Sequence, residues 1–422
     1  MSVNKARQSP TAEPKFFYGY TLVAAAFCII FLAAGTQVSY GIFFKPLLAE
    51  FGWSRAITSG AFSLSWIIQG LVGIVMGRLS DRLGPRIVLT ICGFLLGIGY
   101  FLMSQISAVW QLYVFYGVII GIGMSGTLIP LQSSVARWFV ARRGMMTGII
   151  LAGTAIGTTI GAPVASWLIR TYDWRMSYII LAGLVFVVVV ILAQLLKRDP
   201  AQMGQMPYGQ NDGVGQGLKF KTKGFSLSQA LYTRQLWTIV AMFFCLAFPL
   251  FAITVHIVPH TTDLGIPAAT AASILATLGA LSIVGRIGMG GAGDRIGSTR
   301  AFIIGFAIMS AALFWLMPAK EAWGLYLFAA IFGFASAGAG ALTSPLVAEL
   351  FGLRSHGLIL GVTQLGFAIG AAAGPLVAGY LFDVTSTYSS AFILCAVLSI
   401  VGLALSIVLR PTTDKQDRRR AI

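Results

Sequence analysis

The sequence predicts an all-α polytopic membrane protein whose twelve transmembrane helices form two six-helix bundles. Of its 422 residues, 57% are hydrophobic and only 10% are charged, whereas soluble domains carry about 25% charged residues. Apolar runs of about 20 residues, the length that crosses a bilayer, recur along the whole chain. The second half of the chain also repeats motifs of the first at one fixed spacing. A soluble all-α protein is excluded, because it could not cover this much apolar surface.

Twelve apolar runs are predicted to span the membrane, six on each side of a long polar gap. The predicted spans are 17–44, 56–77, 87–107, 109–136, 145–169, 176–196, 235–258, 268–291, 301–318, 323–347, 357–381 and 389–409. The gap at 197–234 is rich in Gly, Gln and Lys, a composition typical of a flexible linker, with room for a short amphipathic helix. We therefore expect bundles over 17–196 and 235–409, with polar tails at 1–16 and 410–422.

The distribution of lysine and arginine predicts the orientation of the bundles. With the N-terminus inside, 23 of the 29 basic residues lie in or beside inner loops and five in or beside outer loops. This bias places both termini in the cytoplasm. It also argues against a nucleic-acid partner for the net charge of +16, because the basic residues lie between apolar runs. The first run is too long for the core of a signal peptide, so we interpret it as the first span.

Three sets of residues recur at one spacing, which we call the repeat offset and define as the separation of Asp81 from Asp294. These aspartates belong to the segments GRLSDRLGPR after the second span and GGAGDRIGSTR after the eighth. The matching glycines are Gly144, Gly153, Gly157 and Gly161 in the first half and Gly357, Gly366, Gly370 and Gly374 in the second. Two homologous bundles in the same orientation are typical of transporters that bind substrate between their halves, near the membrane midplane.

The duplicated segment G-x-x-x-D-R-x-G predicts a contact between the halves at the cytoplasmic surface. Its glycines allow two helix ends to approach closely, and Asp81 and Asp294 can accept hydrogen bonds from helix N-termini or from a neighbouring arginine. We expect Arg82, Arg86 and Arg295 to complete a charge cluster that latches the halves together in one state. The alternative is a set of solvated loop charges, but the duplicated spacing favours the latch.

These motifs resemble those of the major facilitator superfamily, in its loop motif and in the small-residue packing series of its fifth and eleventh spans. A closer resemblance covers nearly the whole chain. The stretches FFYGYTLVAAAF, YGIFFKPLLAEFGWSRA, SDRLGPRIV, ARWFVARRGMMTGIILAGTAIG, DWRMSYII and HIVPHTTDLGI, with an arginine in span eight, are similar to the monocarboxylate transporter family, in its bacterial branch. The resemblance implies the major facilitator fold and a location in the bacterial cytoplasmic (inner) membrane.

The resemblance implies proton-coupled transport of small monocarboxylates, such as lactate and pyruvate, by alternating access. The arginine that anchors the substrate carboxylate in the family is Arg286 here. Animal members also carry a lysine in span one and an aspartate four residues before the arginine. The corresponding residues here are Val38 and Ser282, so both proposed partners in proton coupling are missing. No cofactor is implied, and we expect the carrier to function as a monomer.

Arg286 lies inside an apolar run, unlike every other basic residue of the chain. It is eight residues from Asp294, about 12 Å along the helix axis, which places it well inside a hydrocarbon core of about 30 Å. All 13 acidic residues fall in loops or at span ends, so no acid is available as a permanent counter-ion. The alternatives are snorkelling to the cytoplasmic surface and a buried ion pair. We favour a substrate carboxylate, which the guanidinium matches with two parallel hydrogen bonds.

Other pocket residues follow from helical spacing and from the family resemblance, with ordinary helix packing as the alternative for each. They are Ser282, Gln37, Ser125, Leu151, Thr154 and Ser336. Gly73 is the first-half counterpart of Arg286, so the pocket has one charged half and one mostly apolar half. Such a pocket suits a small anion with an apolar or hydroxylated tail, and its small residues leave room for a bulkier or aromatic acid.

Two histidines, His256 and His260, end span seven near the outer surface. Histidine titrates near neutral pH, so either residue is a candidate to relay a proton. Structural hydrogen bonding is the alternative for both.

The cysteines predict neither a disulfide framework nor a metal site, because they lie far apart inside apolar runs, where we expect small buried side chains. They are Cys28, Cys92, Cys245 and Cys395. An enzyme is not predicted either, since no nucleophile–base pair, metal-ligand spacing or nucleotide loop occurs. The glycine-rich GMGGAG at 288–293 ends a span rather than following a strand, so it fails the test for a phosphate loop.

Two other functions stay open at the level of sequence. An exchanger of organic anions without proton coupling would use the same pocket. A membrane sensor that kept the fold and lost transport is disfavoured by the short tails and by the lack of a soluble signalling domain.

Overall fold

The computed structural model describes residues 17–210 and 224–409. Within these residues the chain forms twelve helices that are long and apolar enough to span a membrane, and no β-strand. The helices are α1 Gly19–Phe51, α2 Arg55–Leu83, α3 Pro85–Met103, α4 Val109–Trp138, α5 Arg143–Tyr172, α6 Trp174–Gln194, α7 Arg234–Asp263, α8 Ala268–Ile296, α9 Ser298–Leu316, α10 Ala322–Phe351, α11 His356–Thr385 and α12 Ser389–Val408. The all-α fold and the twelve spans are confirmed.

Most of the helices extend beyond the predicted spans. Helix α1 has 33 residues and α5 has 30, whereas about 20 residues cross the hydrocarbon core. An apolar run marks only the part of a helix that lies in the hydrocarbon core. A prediction from apolar runs therefore omits the polar residues that continue the helix beyond the core. Asp81 and Asp294 therefore lie within α2 and α8 rather than in loops. The predicted tails at 1–16 and 410–422 fall outside the described residues.

The turn from α2 to α3 has the same geometry as the turn from α8 to α9. Gly84 ends α2 with a φ of 87°, and Gly297 ends α8 with a φ of 89°, a region that glycine enters without steric cost. The repeat offset relates Gly84 to Gly297. The repeat in sequence is therefore also a repeat of backbone conformation.

Glycines let α5 lie directly on the backbone of α1, and α11 on that of α7. A Cβ atom added to Gly157 would lie 2.1 Å from the Phe31 carbonyl oxygen, and one added to Gly370 would lie 2.6 Å from that of Phe244. The neighbouring turns repeat the contact with Gly153 on Phe27, Gly161 on Gly35, Gly366 on Val240 and Gly374 on Phe248. Because the repeat offset relates all three pairs of contacts, the two bundles share their packing as well as their sequence pattern.

Each half has a hydrophobic core of its own, built around large side chains that are almost completely buried. The first core contains Phe43, Tyr100, Tyr116, Trp138 and Tyr178, and the second contains Phe243, Phe302, Phe306, Phe328 and Phe332. The halves are therefore packed as two bundles.

Three of the cysteines are buried as expected, but Cys28 is exposed, so the expectation is wrong for that residue. Ala24, one turn earlier on α1, is also exposed. The two residues lie on one outer stripe of the helix. An apolar run does not show which side of a spanning helix faces the protein.

Both described ends of the predicted linker pack against the bundles. The Tyr208 N–H donates to the Trp138 carbonyl oxygen at 2.9 Å, and the Phe225 N–H donates to that of Phe351 at 2.9 Å. The short helix Leu227–Leu231 follows Phe225 and leads into α7. A flexible linker does not describe these ends, because their aromatic side chains bury against loops of the bundles. Residues 211–223 fall outside the part of the chain that the structure describes.

We expect Gly157→Ala to destabilise the protein. The new methyl group would overlap the Phe31 carbonyl oxygen and push α5 away from α1, at a cost of about 1–3 kcal/mol. Gly183→Ala, in α6, is the matched control, because an added Cβ there has no atom within 4 Å and helix propensity improves by about 1 kcal/mol. Thermal unfolding in detergent should give a lower midpoint for Gly157→Ala only. Equal midpoints for both variants would contradict the close approach of the helices.

Candidate functional site

The two halves meet along two helix pairs, α2 with α11 and α5 with α8. At one end of each pair, glycine backbones touch. A Cβ atom on Gly77 would lie 2.3 Å from the Gly357 carbonyl oxygen, and one on Gly144 would lie 2.3 Å from that of Gly290. A side chain at these positions would force the halves apart. We call this end of the bundle, which also carries Asp81 and Asp294, the carboxylate face.

The Asp81 carboxylate of α2 binds the N-terminus of α11. It accepts hydrogen bonds from the N–H groups of Gly357 at 3.2 Å and Leu358 at 3.0 Å. The Arg137 guanidinium, from the end of α4, donates to the same carboxylate at 3.0 Å. The first N–H groups of a helix have no partner within it and carry a partial positive charge. Asp81 therefore satisfies donors of the opposite half of the protein.

Asp294 of α8 makes the mirrored contact with the N-terminus of α5. Its carboxylate accepts hydrogen bonds from the N–H groups of Gly144 at 2.6 Å and Met145 at 2.8 Å. The repeat offset relates these donors to those that Asp81 binds. Each half thus supplies the carboxylate that a helix of the other half requires, and the halves are joined at the carboxylate face. The role of this pair of contacts as a conformational latch stays a prediction.

The three arginines expected in the latch lie elsewhere. Arg86 donates from Nε to Gln194 Oε1 at 2.7 Å, within its own half. Arg82 and Arg295 are exposed, and the structure shows neither of them bonded to Asp81 or Asp294. Arg137 takes the expected place at Asp81, although in the sequence it is only one of the 23 basic residues in or beside inner loops. No local signal identifies Arg137, because its contact with Asp81 joins two helices that are distant in sequence.

Further from the carboxylate face, four residues of the two halves keep exposed surface, and we call the region that they line the central cavity. Gln37, Thr154 and Arg286 are partly exposed, and Val38 is 40% exposed, although all four lie well inside their helices. The glycine contacts and the two carboxylates close this region at the carboxylate face. A ligand could therefore enter this region only from the opposite face of the bundle.

In the central cavity, the Arg286 side chain extends from α8 in the second half to α5 in the first half. Its Nη1 donates to the Leu151 carbonyl oxygen of α5, and its own carbonyl oxygen lies where a Cβ on Gly148 would clash. Helix α5 starts at the carboxylate face, so Leu151 is further from that face than Gly148 is. The side chain thus extends away from the carboxylate face, which contradicts snorkelling toward it.

Arg286 has no acidic partner among the described residues. This observation also argues against the buried ion pair. A guanidinium has five N–H donors in a fixed planar arrangement. One of them serves the Leu151 carbonyl, and the others remain available to a ligand in the cavity. An anion that enters from the opposite face would therefore meet a positive charge that the protein leaves uncompensated.

The hydroxyl groups of the three serines predicted for the pocket donate hydrogen bonds to carbonyl groups of their own helices. The hydroxyls of Ser125 and Ser282 donate to the carbonyls of Ile122 and Gly279, both at 2.6 Å. The hydroxyl of Ser336 donates to the Phe332 carbonyl at 2.7 Å, and this residue is fully buried. These contacts agree with the packing alternative rather than with a role in binding.

The other residues predicted for the pocket are Gln37, Leu151 and Thr154. Leu151 meets Arg286 through its backbone carbonyl. Thr154, one turn further along α5, is partly exposed. The side-chain Nε2 of Gln37 is buried and has no hydrogen-bond partner within the described residues. The role of Gln37 and Thr154 in ligand binding stays a prediction.

His256 links α7 to the second half of α11 near the opposite face. Its Nε2 lies 3.0 Å from the Pro375 carbonyl oxygen, and its Nδ1 lies 3.3 Å from the Tyr388 hydroxyl. A carbonyl only accepts, so Nε2 carries the proton and Nδ1 accepts from the tyrosine. Burial, followed by Asp263 and Asp383, raises the pKa of Tyr388, which keeps its hydroxyl a donor.

His260 lies one turn beyond His256 and packs edge-on against an aromatic ring. Its ring centroid is 4.8 Å from that of Phe392, and its Nε2 is buried without a hydrogen-bond partner in the described chain. Both histidines thus lie between α7 and the ends of α11 and α12, toward the face opposite the carboxylate face.

Comparison with known proteins agrees with the resemblance to the major facilitator superfamily. The sequence profile described as Major Facilitator Superfamily matches residues 26–319 and 258–421. The chain is 28% identical over 408 residues to Monocarboxylate transporter 13 of Rattus norvegicus, a match that covers 94% of this chain and 90% of that protein.

Two solved structures share the fold. A variant of the E. coli fucose:proton symporter FucP matches with a TM-score of 0.70 and 16% identity, over 94% of this chain and 100% of that one. The human organic anion transporter MFSD10 matches with a TM-score of 0.71 and 17% identity, over 93% of this chain and 100% of that one.

We expect Asp81→Asn to loosen the carboxylate face. The variant loses the ion pair with Arg137 and turns two charge-assisted hydrogen bonds into neutral ones, which are weaker by about 1 kcal/mol each. A free-energy change of about 1.4 kcal/mol shifts an equilibrium tenfold, so the open state should gain at least that factor. Ser344 is fully buried between α10 and α4. In a protein that also carries Cys28→Ser, the rate at which maleimide labels Ser344→Cys reports opening of the carboxylate face.

Asp173→Asn provides the control for this measurement. It is the same chemical change at the opposite face, where Asp173 accepts from the Met176 N–H at 2.9 Å within one half. The labelling rate should rise about tenfold in Asp81→Asn and stay unchanged in Asp173→Asn. Equal rates in both variants would show that the carboxylate of Asp81 does not hold the halves together.

Proposed function

The chain belongs to the Major Facilitator Superfamily, and from this premise we propose that it carries a small monocarboxylate across the membrane by alternating access. It is a multi-pass membrane transporter of the monocarboxylate-transporter type rather than an enzyme. In the proposal, Arg286 holds the substrate carboxylate and a proton moves with it.

The observation that carries the proposal is the uncompensated charge of Arg286. A charged side chain inside a membrane costs several kcal/mol unless it faces water or a partner. No carboxylate of the described residues pairs with Arg286, which is partly exposed and has one hydrogen bond, to the Leu151 carbonyl of the other half. A carboxylate that binds two of its N–H groups provides the missing charge with favourable geometry. A second carboxylate on the substrate would find no second cation.

Alternating access requires the contacts at the carboxylate face to break while the opposite face closes. We propose that the Asp81 and Asp294 contacts are the latch of the state described here, in which the cavity faces the opposite side. Under the predicted orientation, with both termini in the cytoplasm, this is the outward-facing state. The finer location that we propose, a bacterial inner membrane, and the monomeric state rest on the sequence resemblance alone, because the curated relatives that the chain matches include animal proteins.

For the proton, we propose His256 or His260 as the carrier. Val38 and Ser282 stand where animal relatives carry the coupling lysine and aspartate, and the Ser282 hydroxyl is bonded to the Gly279 carbonyl. Neither residue takes up a proton near neutral pH. Histidine is the residue type whose unperturbed side chain titrates near neutral pH, and both histidines lie toward the face opposite the carboxylate face.

A second candidate is an organic-anion exchanger that moves no proton. The absence of the coupling pair in this sequence favours it. The human structure of similar fold is described as an organic anion transporter. Counterflow in the absence of any pH change would support the exchanger.

We expect Arg286→Gln to abolish uptake of monocarboxylates while the protein remains folded. The variant loses the charge and the paired donors, and hydrogen bonds to charged groups contribute about 1.5–3 kcal/mol each, so uptake should fall about 100-fold. Uptake of labelled lactate and pyruvate into proteoliposomes, with and without an inward proton gradient, measures the effect. Arg300→Gln removes an exposed arginine of α9 and is the matched control. Uptake by Arg286→Gln at the level of Arg300→Gln would refute the anchor.

We expect His256→Gln to uncouple transport from protons. Glutamine offers one donor and one acceptor, as the neutral ring does toward Pro375 and Tyr388, but it does not titrate. Accumulation driven by a pH gradient should therefore be lost, whereas exchange of labelled for unlabelled lactate should continue. His260→Gln tests the second histidine in the same two assays. Intact pH-driven accumulation in both variants would exclude the histidines as proton carriers.

A further inference from the structure

The central cavity offers a second polar position, in addition to Arg286. We propose that Gln364 of α11 and Gln69 of α2, on either side of Gly73, form a subsite for a neutral hydrogen-bonding group of the substrate. This inference rests on the proposed function and deepens it. It assigns the substrate class as monocarboxylates whose apolar body carries a hydroxyl group remote from the carboxylate.

The internal repeat identifies the position. In one half of the cavity, the Arg286 carbonyl lies against Gly148, and its side chain reaches Leu151. The repeat offset relates these three residues to Gly73, Gly361 and Gln364 respectively.

The backbone contact is repeated at this second position. A Cβ on Gly361 would lie 3.4 Å from the Gly73 carbonyl oxygen and 2.9 Å from the Ile74 Cα. The side chains are not repeated: glycine replaces the arginine, and a glutamine replaces the leucine. The mirrored position therefore offers an amide where the first offers a charge.

Packing determines the side of α11 that Gln364 occupies. Gly361 and Ala368 face α2, at Gly73 and Gly70 respectively, while Gly366 and Gly370 face α7 on the far side. The outer side of the helix carries Ile369, which is 59% exposed, and Leu376, which is 73% exposed. With about 100° per residue, the remaining side is that of Gln364 and Phe367, toward the central cavity.

Among the residues that the structure describes, the N–H donors of both amides have no hydrogen-bond partner. Gln364 is partly exposed and forms no hydrogen bond with any described residue. Gln69 lies one turn before Gly73, and its Nε2 is buried without a partner in the described chain. A buried N–H donor without a partner is unfavourable, so water or a ligand is expected to bind there. An amide both donates and accepts, as a hydroxyl does, and it carries no charge to attract a second carboxylate.

An aromatic wall adjoins Gln364. Phe367, one turn further along α11, meets Phe251 of α7 edge-to-face with ring centroids 5.9 Å apart. The first-half counterpart of Phe251 is Val38, which is 40% exposed. The body of a substrate that bridges Arg286 and Gln364 would thus lie between aromatic rings of one half and an aliphatic side chain of the other. This lining favours aryl or long alkyl acids over three-carbon acids.

The test compares acids that differ by one hydroxyl group. The competing acids are 3-phenylpropionate and its 2-, 3- and 4-hydroxyphenyl derivatives. We would measure how strongly each of them inhibits the uptake of labelled lactate into proteoliposomes. For the wild type, the best hydroxylated isomer should compete about tenfold better than 3-phenylpropionate. In Gln364→Leu, which restores the leucine of the mirrored position, the preference should vanish or reverse, because a buried hydroxyl without a partner is unfavourable.

Further variants separate binding from folding. Gln69→Leu should reduce the same preference, and Gln364→Asn should retain part of it because the amide is kept. Gln105→Leu, which changes an exposed glutamine in the turn after α3, is the control and should behave as the wild type does. Either result, no hydroxyl preference in the wild type or the same preference in Gln364→Leu, would overturn the subsite alone. If the wild type takes up none of these acids or lactate, the proposed function fails as well.

Discussion

The structure depends on two carboxylates that each satisfy the N-terminus of a helix in the opposite half. The first N–H groups of α5 and α11 have no acceptor within their helices. Asp294 and Asp81 supply one from across the interface, at distances of 2.6–3.2 Å. Only glycines allow the backbones close enough for these bonds to form. The exchange is reciprocal, so neither half completes its own helix ends, and the cavity between them is closed on one side by these two carboxylates together with direct contact between glycine backbones.

The repeat makes the positions where the halves differ stand out. Glycine contacts, turns and carboxylate contacts recur at the repeat offset, which indicates that they serve the fold in both halves. A transported molecule has no such symmetry, so the residues that recognise it need not repeat. Arg286 opposite Gly73, and Gln364 opposite Leu151, are differences of this kind inside the central cavity. The same logic sets Arg137 apart, because the second half has Leu350 in its place.

The sequence was sufficient for whatever depends on length, periodicity and the cost of charge in lipid. The twelve spans, the repeat and the isolated position of Arg286 all follow from those quantities. It was not sufficient for the rotation of a helix about its axis, which decides whether Ser336 is buried and whether Cys28 is exposed. Nor did it identify contacts between distant segments. Arg137 rather than Arg82 reaches Asp81, and Tyr208 packs on a loop although its neighbours are typical of a flexible linker.

The contact between Arg286 and Leu151 links substrate binding to the arrangement of the halves. The guanidinium belongs to α8 and the carbonyl to α5, so this hydrogen bond crosses the same helix pair that Asp294 holds at the carboxylate face. A carboxylate is a stronger acceptor than a carbonyl and needs two adjacent N–H groups. A substrate that takes the Nη1 donor would compete with this bond between the halves. Binding energy can then weaken the interface of one state, which is the differential interaction that any ligand-driven change of conformation requires.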